Sequence, residues 1–227
     1  TDGGISFSSI LAYPSATSIL ELAANGDHAV TRISDPNVSA HYQILRWNGA
    51  PNEWTRILAT SFSYFQDLTI NASGIVFGID PFGTHTIVRF GGAGWSSLGS
   101  AQSFLTSPFF NRDLNAVTAV DHANNLLVGS GAGGIYIPTN YGQTWGRSLP
   151  AYPVGTINVS LPGTILVGTT PSPSPPLNTF GGIFASTDTG RTWKGLGLSN
   201  HVITALAAGS AGTLYALADG GAYKRVD

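Results

Sequence analysis

The chain has 227 residues, 42% of them hydrophobic and only 10% charged, with 29 glycines, 13 prolines and a net charge of −2. The length suits one all-β unit, and the charged fraction lies far below the roughly 25% of ordinary soluble domains. Ten basic residues without a cluster argue against nucleic acid and anionic membranes; the lack of cysteine excludes disulfides and zinc–thiolate sites, and no apolar run of about 18 residues is present to span a bilayer.

From the N-terminus onward, short β-branched and aromatic runs alternate with turn residues, the pattern of strands rather than helices. An alternating stretch, Ile5–Tyr13, comes first. Five first strands are then predicted, at Ile19–Leu22, Leu68–Ile70, Val117–Val120, Ile157–Ser160 and Ile203–Leu206. Turns such as Asn71-Ala72-Ser73-Gly74 and Asn124-Asn125 lead into second strands at Ala29–Ile33, Ile75–Ile79, Leu126–Gly129, Thr164–Gly168 and Leu214–Leu217.

Four of these units continue into a segment that closes on a tryptophan: Ile44–Trp54, Ile87–Trp95, Gly133–Trp145 and Gly181–Trp193. The four tryptophans are 41, 50 and 48 positions apart, the period of a four-stranded propeller blade. The fifth unit begins at Val202 and holds three strands. We therefore expect an all-β chain, a single β-propeller domain over residues 1–227 with about five four-stranded blades. Their spans are approximately 18–62, 67–102, 114–152, 156–198, and 202–227 joined by 4–13. In that scheme the N-terminal strand pairs with the C-terminal blade, closes the ring and leaves no open sheet edge.

The segment Ser186-Thr187-Asp188-Thr189-Gly190-Arg191-Thr192-Trp193 fits the pattern Ser-x-Asp-x-Gly-x-Thr-Trp. It resembles the Asp-box of sialidase-like (BNR) repeat propellers. A weaker copy at 138–145 keeps Asn140, Gly142 and Trp145, with Pro138 in place of Ser and Asn140 in place of Asp. The resemblance implies that Ser186, Asp188, Gly190, Thr192 and Trp193 are structural. The carboxylate accepts backbone N–H groups of its turn, glycine supplies a positive φ, and the indole packs between sheets. The hairpin would lie on the face opposite the family's usual ligand site. An active sialidase of this type would need an arginine triad, a tyrosine nucleophile and an Arg-Ile-Pro motif. Here Arg32-Ile33 is followed by Ser34, and only Arg112 stands at an expected site position.

Working residues of propellers gather where the inner strands begin and in the loops between second and third strands. Those segments hold Asp35, His41, Tyr64, Phe65, Asp67, Asp80, His85, Arg112, Asp113, His201 and Asp219. As ligand-binding candidates we take Asp67, Asp113, Arg112, His201, Tyr64, Phe65, His85 and Asp35. Asp67 and Asp113 open successive blades. Facing carboxylates could serve as acid and base or nucleophile in glycoside hydrolysis; equally, each could cap its own turn. No histidine pair has ligand spacing, so neither metal nor cofactor is expected. The Pro/Ser-rich run Thr169–Asn178 reads as an exposed connector or a partner-binding lip. Phe104–Phe110 reads as a core plug or an apolar patch. The sequons at Asn37, Asn71 and Asn158 are expected as chance matches.

Three functional readings stand. The first is a non-catalytic binding or assembly module, outside the cytoplasm (secreted, periplasmic or cell-surface), that recognises glycan, as a lectin does, or protein at the channel mouth. The second is a glycoside hydrolase using Asp67 and Asp113. The third is a structural subunit of a larger assembly.

Overall fold

A computed structural model of the chain describes residues 19–25, 28–34, 42–47, 54–57, 67–80, 86–91, 94–100, 116–121, 125–131, 133–139, 144–149, 152–160, 163–171, 180–209 and 212–225. These residues form nineteen strands and, among them, no helix. The first sheet holds β1 (Ile19–Asn25), β2 (His28–Ser34), β3 (Tyr42–Trp47) and β4 (Trp54–Arg56). The second holds β5 (Leu68–Ile70), β6 (Val76–Asp80), β7 (Thr86–Gly91) and β8 (Gly94–Ser100). The third holds β9 (Ala116–Val120), β10 (Leu126–Ser130), β11 (Ile135–Thr139) and β12 (Thr144–Leu149). The fourth holds β13 (Val154–Ser160), β14 (Thr164–Thr169), β15 (Gly182–Ser186) and β16 (Lys194–Gly197). The fifth has three strands, β17 (Ile203–Ala208), β18 (Leu214–Ala218) and β19 (Gly221–Lys224). Each sheet is an antiparallel meander in sequence order.

The first hairpins of the second and third sheets are each closed by a short polar side chain. The Asn71 amide oxygen accepts from the N–H groups of Ser73 (3.0 Å) and Ile75 (2.9 Å). Asp121 does the equivalent one sheet later, accepting from Asn125 N at 2.8 Å and Asn125 Nδ2 at 2.9 Å. Such bonds hold a turn that the flanking β-branched strands could not make alone. Asn71 is only 3% exposed and its oxygen is engaged, so the sequon there is a turn cap.

Successive sheets pack face to face, and alternate residues of a middle strand feed the cores on its two sides. On β6, Val76 joins the core shared with the first sheet, while Phe77 and Ile79 join that shared with the third. On β10, Leu126 and Val128 face the second sheet and Leu127 the fourth. On β14, Ile165 and Val167 face the third sheet and Leu166 the fifth. Coverage on both faces explains why these strands read as continuous apolar runs rather than alternating ones. Each such buried Val, Leu or Ile contributes about 1.5–3 kcal/mol.

The sheets meet most closely at glycines. A Cβ on Gly129 of β10 would lie 2.5 Å from Val154 Cγ1 and 3.2 Å from Ile157 Cδ1, both on β13. Gly168 of β14 is covered in the same way by Ile203 of β17. These contacts also explain why β13 begins at Val154, three residues before the predicted Ile157: Val154 is buried against the neighbouring sheet.

The fifth sheet differs from the others. On β18, Leu214, Ala216 and Ala218 enter the core shared with the fourth sheet. Tyr215 and Leu217, on the other face, are 46% and 51% exposed. Ala207 stands opposite Tyr215 and Ala222 opposite Leu217, which extends the strip on that face. The N-terminal strand expected at residues 4–13 lies outside the described residues, as do the Phe104–Phe110 connection and positions 172–178 of the Pro/Ser-rich run.

Candidate functional site

The starts of the inner strands gather at one end of the sheets, and the described candidates there are Asp67, His201 and Asp219. Asp67 precedes β5 and is half-buried. Its Oδ2 accepts from the Thr118 hydroxyl at 2.7 Å and also from the Thr118 backbone N–H. Thr118 lies on β9, so this carboxylate ties the innermost strands of two sheets together. Two donors on one oxygen hold the group in place.

Asp219 and Gly220 form a two-residue turn between β18 and β19, with φ of 48° and 78°. An Asp-Gly pair at positive φ is the favoured tight hairpin. That turn aims the carboxylate back at the start of β17. Asp219 Oδ1 accepts from Val202 N at 3.0 Å, and Oδ2 lies 2.6 Å from His201 Nδ1. The Val202 N–H, followed by the His201 hydrogen bond, holds the Asp219 carboxyl below the usual aspartate range. With a carboxylate as partner, Nδ1 carries the proton and donates, so a neutral ring keeps Nε2 as an acceptor. The imidazole also packs on Tyr223, ring centres 5.7 Å apart. Two residues before Val202, Asn200 N donates to Phe180 O at 2.5 Å, and Phe180 (71%) and Val202 are both exposed.

Asp35, His41, Tyr64, Phe65, His85, Arg112 and Asp113 lie outside the described residues, and so do Asn140 and Gly142. Asp80 closes β6.

At the opposite end, the β15–β16 hairpin is built on Asp188. Its Oδ1 accepts from Ser186 Oγ (2.8 Å) and Thr192 N (2.9 Å), and its Oδ2 from Thr192 Oγ1 (2.6 Å). These bonds, led by the Thr192 hydroxyl, lower its pKa from the ordinary 3.8 to about 2. Ser186 Oγ in turn accepts from Gly190 N at 2.8 Å. Gly190 sits at φ 84°, which favours glycine, and a Cβ there would also press on Ile137 Cδ1 at 2.8 Å. Trp193 packs on the core between the third and fourth sheets, and its indole N–H donates to Ser148 Oγ on β12 at 2.9 Å. Ser148 itself donates to Gly190 O. One serine of the third sheet thus holds both the turn and the tryptophan of the fourth. Trp145 packs in the same manner on the core between the second and third sheets.

Sequence reasoning placed His201 and Asp219 on one face but did not pair them, since the pairing depends on the Asp-Gly turn. It missed Thr118 and Ser148, whose partners are 51 and 45 positions away. It also passed over Phe180 and Val202. The signal available for these was a large apolar residue beside a glycine or histidine at a strand start.

No protein-family model matches the sequence, and no curated protein matches it. Solved structures do. A chain described as YCF48 bound to D1 peptide shares 16% identity at TM-score 0.61, over 99% of this chain and 70% of that one. PorZ, a surface component of the type-IX secretion system of Porphyromonas gingivalis, shares 15% at 0.60, over 96% of this chain and 34% of that one. A GH74 enzyme of Niastella koreensis shares 18% at 0.56, over 91% and 38%. The chain therefore spans only about a third of the latter two. These neighbours are β-propeller-like, and at such identities the likeness bears on fold alone: five antiparallel sheets packed in succession, in the propeller manner.

Proposed function

We propose that the chain is an Asp-box propeller acting as a non-catalytic binding or assembly module outside the cytoplasm, with a protein or glycan partner seated where the inner strands begin. The observation that carries this is the way two carboxylates at that end are engaged. Asp67 serves Thr118, and Asp219 serves Val202 N and His201. The exposed large side chains carried by this part of the chain are aromatic and apolar: Val202 next to His201, Tyr223 against its ring, and Phe180, whose backbone is bonded to Asn200. An exposed aromatic rim with a fixed imidazole suits recognition; a hydrolase would need two carboxylates free to act on a glycosidic bond. Glycoside hydrolysis by Asp67 with Asp113 is the second reading, favoured by the likeness to a GH74 enzyme. A role as a subunit of an assembly is supported by the likeness to a secretion-system component and to a peptide-bound propeller. The surface component among these also supports the extracytoplasmic location.

In this reading the ring is single, with five blades, and residues 4–13 lie on the free edge of β19. The fifth sheet, one strand short of the other four, supports that closure. Arrays of peptides and glycans probed with wild type and with Phe180→Ser/Val202→Ser test the function: ligands bound by wild type and lost by the variant are expected, and identical profiles would overturn the site. Deletion of residues 1–13 should lower the melting temperature by several degrees; unchanged melting would overturn the closure.

A further inference from the structure

No further inference is drawn: the strongest candidate, the outward face of the fifth sheet, where Tyr215 and Leu217 of β18 are 46% and 51% exposed, is an apolar sheet face, and nothing in the structure shows what covers it.

Discussion

Replacing Gly129 by alanine probes how the sheets pack, because two effects of opposite sign compete there. In an ordinary strand the change would stabilise by about 0.5–1 kcal/mol, since glycine loses more freedom on folding than alanine. Gly129 is not at a positive φ, so the backbone itself raises no objection. The new Cβ, however, would lie 2.5 Å from Val154 Cγ1 and 3.0 Å from Val154 Cβ. Val154 is 2% exposed and part of a strand, so it cannot swing away. Overpacking of this kind costs about 1–3 kcal/mol. The steric effect wins, and a net loss of about 1–2 kcal/mol should lower the melting temperature by roughly 2–8 °C for a chain of this size. The companion change Val154→Ala removes the offending methyl and by itself costs about 2 kcal/mol. Combined in one chain, the two should cost less than their sum by about 1 kcal/mol, a coupling readable in a double-mutant cycle by urea denaturation. A higher melting temperature for Gly129→Ala, or strict additivity with Val154→Ala, would refute close packing of the third and fourth sheets at this glycine.

Other consequences follow from the same contacts. Ser148→Ala removes the acceptor of the Trp193 indole N–H and the donor to Gly190 O; a loss of about 1–2 kcal/mol and a shifted tryptophan emission are expected, and a silent substitution would show that the serine bridge does not hold the hairpin. Asp188 and Asp219 both have carboxyl groups depressed in the folded chain. The contribution of each is therefore complete above the ordinary pKa of 3.8 and is lost as pH falls below it, for Asp188 toward about 2. The melting temperature should drop across that window, and less steeply in Asp188→Asn; equal slopes would contradict the assignment. Asn71→Ala should destabilise by about 1–2 kcal/mol through the unpaired turn amides, and mass spectrometry of chain made in a glycosylating host should find no glycan on Asn71.

Much of the strand pattern was legible because each middle strand is covered on both faces. Sequences such as Leu126-Leu127-Val128-Gly129 and Ile165-Leu166-Val167-Gly168 are the imprint of two cores, one on each side. The Asp188 turn was legible for a different reason: the hydrogen-bond partners of the Asp188 carboxylate all lie within four residues. Contacts between sheets were not legible. Nothing in the sequence around Asp67 or Thr118 announces a bond across 51 positions. His201 and Asp219 fall between these cases. Their common face followed from the strand order, while their contact required the tight Asp219-Gly220 turn to fold the carboxylate back over Val202.

The claim that the inner-strand end binds a partner rather than converting one turns on Asp67, whose carboxylate either anchors β9 or works on substrate. Side-by-side turnover of a panel of glycosides by wild type and Asp67→Asn tests it most directly. The account expects no hydrolysis above blank from either protein, with the variant melting lower because Thr118 has lost its charged acceptor. Hydrolysis by wild type that vanishes in an Asp67→Asn protein of unchanged melting temperature would contradict it and assign the carboxylate to catalysis.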